Sequence, residues 1–156
     1  MGCAVKIGTS ALLFFALYAI YSWAGFLYPE GGAWYEALAK PPGTPPASVF
    51  PVVWGILYAL ISLSIVQLAR SRQMDGETLL LFFINWAVVQ VFTWLFVEKH
   101  LLLPAAADTV LVAYSTWLLI KMIRPRKRAA AYLLIPYLLW ALYTVYLSWG
   151  VFLLNR

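Results

Sequence analysis

The chain has 156 residues, 64% of them hydrophobic and only 11% charged, with a formal net charge of +5 and a mean hydropathy of +0.83. So little polar surface cannot coat a soluble globule, which excludes a water-soluble enzyme and a nucleic-acid-binding domain and places the chain in a lipid bilayer. One cysteine, Cys3, and one histidine, His100, build no internal disulfide, and they leave a zinc site or a hydrolase triad without its ligands.

Five apolar blocks predict transmembrane helices over residues 7–28, 47–69, 79–98, 101–123 and 129–153. Each is close to the roughly 20 residues that a bilayer-spanning helix needs. The expected architecture is an all-α membrane protein, one five-helix transmembrane bundle covering residues 1–156. The first block exceeds the usual core of a secretory signal and is expected to remain as a span.

After that span comes Trp34-Tyr35-x-x-Leu38-x-Lys40-Pro41-Pro42-x-x-Pro45-Pro46, then Val49-Phe50-Pro51-x-x-Trp54-x-x-Leu57-Tyr58. The prolines fix φ and remove amide donors, so the loop is expected to be stiff, extended and preformed as a lid or wall. Between the second and third spans, Arg70 to Thr78 is a polar turn in which Asp75 or Thr78 can cap the next helix. Glu98-Lys99-His100 is so short that spans three and four must form an antiparallel hairpin. His100 in this charged turn reads as solvated rather than as an axial haem ligand. Pro104 falls in the first turn of span four, where a missing amide costs little; Pro136 lies inside span five and predicts a kink near Tyr132 to Pro136.

Charge placement predicts orientation. Lys6, Arg70, Arg72, Lys121, Arg124, Arg126, Lys127 and Arg128 fall on one side of a five-span chain, against Lys40, Lys99 and Arg156 on the other. The positive-inside rule then puts the N-terminus in the cytoplasm and the proline loop outside. Beside a span, the Arg124 to Arg128 cluster reads as a topology determinant, with no nucleic acid expected as partner.

The positive signal for function is aromatic: 8 Trp, 10 Tyr and 9 Phe. Trp23, Trp34, Trp117 and Trp149 taken singly read as interfacial or packing residues. Trp54 and Tyr58 are one turn apart on span two. On span five, Trp140 lies one turn beyond Pro136 and one turn before Tyr143 and Thr144. Two such stripes facing one another make a flat apolar slot with a few polar handles, suited to a planar macrocycle or a sterol; a packed bundle core fits the spacing equally well. Asp108, buried by its position within span four, is a functional candidate or a partner for a neighbouring helix. Ala105, Thr109 and Ala113 form a small-residue ridge for close approach within the bundle or in a homodimer.

The proline-loop and span-two blocks, with Leu133-Leu134-Ile135-Pro136-Tyr137-Leu138-Leu139-Trp140 in the last span, resemble the translocator protein / tryptophan-rich sensory protein family (TspO/MBR). Asn85, Gln90, Phe92, Thr93 and Asp108 make the chain look like its Bacillus-type bacterial branch. The resemblance implies a multi-pass protein of the bacterial cell membrane that binds porphyrins such as protoporphyrin IX or haem, and other flat hydrophobic ligands. It implies no obligatory cofactor and no metal. It also implies that Trp54 and Trp140 line the ligand cavity, that Tyr35 and Pro45 belong to the loop over its mouth, and that Asn85 contributes a polar contact. Binding or sensing is the expected role. The alternatives are transport of a tetrapyrrole or sterol, and light- and oxygen-dependent porphyrin breakdown at Trp54 and Trp140. The chain departs from the family pattern at Gly43, where the lid commonly has an aromatic, at Val89, and at Phe92, where many relatives have Trp; a less polar pocket follows.

Overall fold

Seven α-helices, six of them building the five spans, follow from these apolar blocks in the computed structural model, which describes residues 2–28 and 32–156, with side chains from Gly8 onward. Lys6, one of the charges used for orientation, has its side chain outside the described residues. The helices are α1 (Gly2–Leu27), α2 (Ala33–Ala37), α3 (Val49–Arg70), α4 (Gly76–Thr93), α5 (Leu102–Ile123), α6 (Arg128–Leu133) and α7 (Ile135–Leu154), and α4 runs on through a π-helical turn at Trp94–Glu98. Among the described residues, five segments are long and apolar enough to cross a membrane: Gly8–Leu27, Val49–Arg70, Gly76–Glu98, Leu102–Ile123 and Arg128–Leu154. These match the five expected spans to within a few residues.

The breaks have local causes. Asp75 caps α4, its carboxylate accepting the Thr78 amide at 2.9 Å. It also pairs with Arg126 at 2.7 Å, while the Arg126 guanidinium donates to the Thr78 hydroxyl at 2.8 Å. The Thr78 side chain and amide, followed by Arg126, hold the Asp75 carboxyl well below the usual carboxylate range. Pro136 has no amide to donate and sits in the first turn of α7, so the fifth span is divided at Leu134 into α6 and α7. Unforeseen in the sequence is α2, a short helix inside the stretch read as loop. Lys40 folds back over it, 4.7 Å above the Tyr35 ring and 3.9 Å from Glu36.

The helices close into a ring in the order first, second, fifth, fourth, third span: α1 packs on α3 and α4, α4 on α5, α5 on α6 and α7, and these two on α3. Apolar attraction between helices is weak in lipid, so small residues and interhelical hydrogen bonds set the approach. Ala105, Thr109 and Ala113 are all buried, so the α5 ridge is used within the bundle, where α4 and α7 cover it. Ala130 and Ala131, fully buried, bring α6 against α3, where the Ser64 hydroxyl donates to the Ala130 carbonyl at 2.9 Å. Leu68, Ile123 and Leu134 complete a tight floor at this end. At the other end α3 and α7 have far less contact, and the space between them is the candidate site.

Candidate ligand site

The N-terminal turns of α3 bring Phe50 and Trp54 to the opening, the end of α4 brings Phe92, and its π-helical turn brings Phe96 and Val97. α7 supplies Thr144, Leu147, Ser148 and Val151, one face of a helix at spacings of three and four residues. The roof is Trp34 and Tyr35 of α2 with Thr44 and Ala47 of the following loop. Together they enclose about 60 Å³. A narrower void of about 20 Å³ continues below, between Trp54, Tyr58, Phe92, Thr109 and Thr144.

The roof is tied to its surroundings on two sides. Trp34 stacks on His100 at 3.8 Å between ring centroids and meets Phe96 edge-on at 5.4 Å. His100, expected to be merely solvated, thus joins α2 to the turn before α5. On the opposite side the proline loop is fastened along α7. Pro41 lies against Gly150, where an added Cβ would stand 2.6 Å from the proline ring. Tyr146 donates its hydroxyl to the Pro42 carbonyl at 2.9 Å, and Tyr143 to the Gly43 carbonyl at 2.6 Å. Asn155 closes the clasp, accepting the Ala39 amide at 3.0 Å and donating to the Ala39 carbonyl at 2.8 Å. Gly43 adopts φ +85°, a conformation that favours glycine, so the residue replacing an aromatic here serves the turn that presents its carbonyl to Tyr143.

Of the residues singled out from the sequence, Tyr35, Trp54, Phe92 and Thr144 line the cavity, and Tyr58 lines the void below it, stacked on Trp54 at 5.5 Å. The others stand elsewhere. Pro45 lies in the lid beside the lining residues Thr44 and Ala47, not among them. Tyr143 faces the lid rather than the cavity because its hydroxyl reaches Gly43. Trp140 sits one layer back, edge-on to Phe50 at 6.0 Å, and its indole N–H is buried without a partner. Asn85 is fully buried between α4, α5 and α7. It donates to Ser115 at 2.9 Å and to Thr116 at 3.1 Å, and accepts the Tyr137 hydroxyl at 3.1 Å. Those bonds leave it to helix packing. Asp108 is buried too, with Oδ2 unpartnered, and lines neither void.

Trp34, Phe50, Phe96 and Ser148 are lining residues that the sequence did not single out for this role. Ser148 was within reach, one turn beyond Thr144 on the same face. Trp34 and Phe96 meet only through tertiary packing, for which local spacing has no signal.

The profile of the TspO/MBR family matches residues 10–154, nearly the whole chain. The chain belongs to the TspO/MBR family. It is 36% identical over 149 residues to the Tryptophan-rich protein TspO of Bacillus cereus, covering 94% of this chain and 97% of that one. It is also 36% identical over 110 residues to the Uncharacterized membrane protein YtaB of Bacillus subtilis, covering 69% and 71%. A 57-residue stretch is 42% identical to Protein CrtK of Rhodobacter capsulatus, 36% of this chain and 35% of that one. As a TspO/MBR protein with five apolar spans, it is a multi-pass membrane protein.

Proposed function

We propose that this TspO/MBR protein is a membrane-embedded binding or sensory protein for a flat hydrophobic ligand of the tetrapyrrole class, protoporphyrin IX being the representative. The observation that carries this reading is the cavity under the lid: Trp34, Tyr35, Phe50, Trp54, Phe92 and Phe96 surround it, and the lining is mostly apolar, with a few polar residues such as Thr44, Thr144 and Ser148. Ring faces suit a flat, polarisable guest, and a few hydroxyls suffice to orient it. At about 60 Å³ the cavity is far below the roughly 300 Å³ at which pockets for drug-sized ligands begin, so binding requires the lid to lift or α3 and α7 to part. In the first case the clasp on α7 is the element that yields.

Purified protein in detergent, titrated with protoporphyrin IX, should show saturable quenching of tryptophan fluorescence. Trp54→Phe should weaken binding or reduce the quenching more than Trp140→Phe, which acts through Phe50, and Trp117→Phe on the lipid-facing side of α5 should change neither. Equal effects at the three positions would remove the cavity from the account of binding.

A further inference from the structure

A second opening lies on the flank of the bundle, beside the lid cavity and facing lipid. Between α1 and α3 is a cleft of about 300 Å³ walled by Ser22, Gly25 and Phe26 on one side and by Pro51, Trp54 and Gly55 on the other. At Tyr18, Pro51 and Gly55 it merges with a shallower groove on the outside of the bundle, whose flanks Phe15, Val52 and Ile56 are exposed. At its inner end Trp54, Tyr58 and Thr93 also line the central void, and Trp54 is in addition a wall of the lid cavity. Trp54, with Tyr58 and Thr93 beside it, therefore separates the flank of the bundle from its centre.

Glycine explains why the space is empty. A Cβ on Gly25 would meet no atom within 4 Å, and one on Gly55 would meet only the Tyr18 hydroxyl, at 3.4 Å. Glycine is disfavoured inside helices, and Gly25 does not serve the approach of another helix; what it leaves is volume. α1 is held from its other side. The Trp86 indole donates to the Ile20 carbonyl at 2.9 Å, and the Gln90 amide accepts from the Ala24 N–H at 2.9 Å and donates to the Tyr21 carbonyl at 3.2 Å. These polar ties fix α1 on α4, and α1 also packs on α3, where Tyr21 meets Tyr58 at 5.8 Å, so the cleft is a local gap in that seam.

Depth identifies what fills it. Trp54 lies five residues and Tyr58 nine from the start of α3, so the cleft extends about 8 to 14 Å into the span at 1.5 Å per residue. The hydrocarbon core is about 30 Å thick, which puts the cleft in the half nearer the lid. An opening at that depth meets acyl chains and no water. No charged side chain lines it, so it is built for hydrocarbon and not for a headgroup.

We propose that the cleft between α1 and α3 binds one acyl chain of a phospholipid in the lid-side leaflet, inserted with its methylenes against Trp54. The proposal stands whether or not a porphyrin occupies the lid cavity. To test it, the full chain is reconstituted in phosphatidylcholine vesicles containing a phosphatidylcholine with a diazirine midway along one acyl chain, irradiated, and mapped by mass spectrometry. The reference is the lipid-facing stretch of α5 around Tyr114 and Trp117, both exposed. A chain held by mass action should label residues 51–58 roughly fivefold more than residues 110–117. Gly25→Leu, whose side chain enters open space, and Gly55→Leu should abolish that excess while protoporphyrin quenching persists. Labelling of 51–58 no greater than of 110–117 in the wild type would overturn the proposal. So would an excess that survives Gly25→Leu in a protein whose melting temperature matches the wild type, and that comparison suffices if Gly55→Leu does not fold.

Discussion

Asn85 shows how a single polar side chain is committed once its neighbours are known. Its amide is shared among Ser115, Thr116 and Tyr137, so three helices meet at one group with no atom turned toward the cavity. Leaving such partners unpaired costs about 1–3 kcal/mol in a protein interior, and about 0.6–2 kcal/mol per bond in membrane helices. Asn85→Leu should therefore lower the thermal midpoint in detergent by several degrees while leaving protoporphyrin affinity within about twofold. A large loss of affinity with the midpoint unchanged would return Asn85 to the ligand. Asp108 is the opposite case, a buried carboxylate whose Oδ2 has no partner. An unpaired acceptor within a span is costly. Asp108→Asn, nearly the same in shape and without the charge, should raise the thermal midpoint by a few degrees, about 2–4 °C for each kcal/mol recovered in a chain of this size. A lower midpoint would mean that the carboxylate is satisfied in the membrane.

At the scale of elements, the spans were readable because each is one apolar run of bilayer length, and Asp75, Pro104 and Pro136 act on the chain within a turn of themselves. The site was readable only in part. The i, i+4 spacing of Trp54 and Tyr58 says that they share a face, and they do; the same spacing on α7 cannot say how far that helix is rotated after the break at Leu134. The rotation turns Thr144 and Ser148 toward the cavity, Tyr143 toward the lid, and Trp140 behind Phe50. Nothing local foretells that Trp34 and His100, 66 residues apart, will stack. Two predictions belong here. Gly150→Ala would drive a methyl into Pro41 and lift the clasp, and with it go hydrogen bonds worth about 1 kcal/mol each, so porphyrin release should accelerate roughly fivefold or more. Stopped-flow dissociation would read this, and an unchanged rate would show that the clasp is not the barrier. At the far end, the Asp75 carboxyl titrates below its ordinary value because Thr78 and Arg126 favour the charged form. Its contribution is therefore complete above the unfolded value of about 4 and is lost as pH falls below it. Melting temperatures of wild type and Asp75→Asn should differ at pH 6 and converge toward pH 3; a gap that stays constant would assign the difference to something other than ionisation.

For the whole molecule, the orientation proposed from the distribution of Lys and Arg can be checked directly. In a Cys3→Ser background, a cysteine at the exposed Ser48, just after the proline loop, should react with an impermeant maleimide added to intact cells, whereas one at Gln73 should react only after lysis. Ser48 is preferable to Gly43, whose backbone conformation would strain a cysteine. Reversed labelling would place the lid in the cytoplasm.

The tight contact of α6 with α3, pinned by Ser64 and Ala130 and backed by the Asp75–Arg126 pair, gives the bundle a closed bottom. Both the lid cavity and the flank cleft lie in the other half of the bundle. On the binding reading proposed above, and while the bottom holds, a guest departs into the leaflet or compartment from which it arrived, and a cycle of filling and emptying carries nothing across and draws on no gradient. The fraction filled is then a gauge of guest activity on one side of the bilayer, blind to the other.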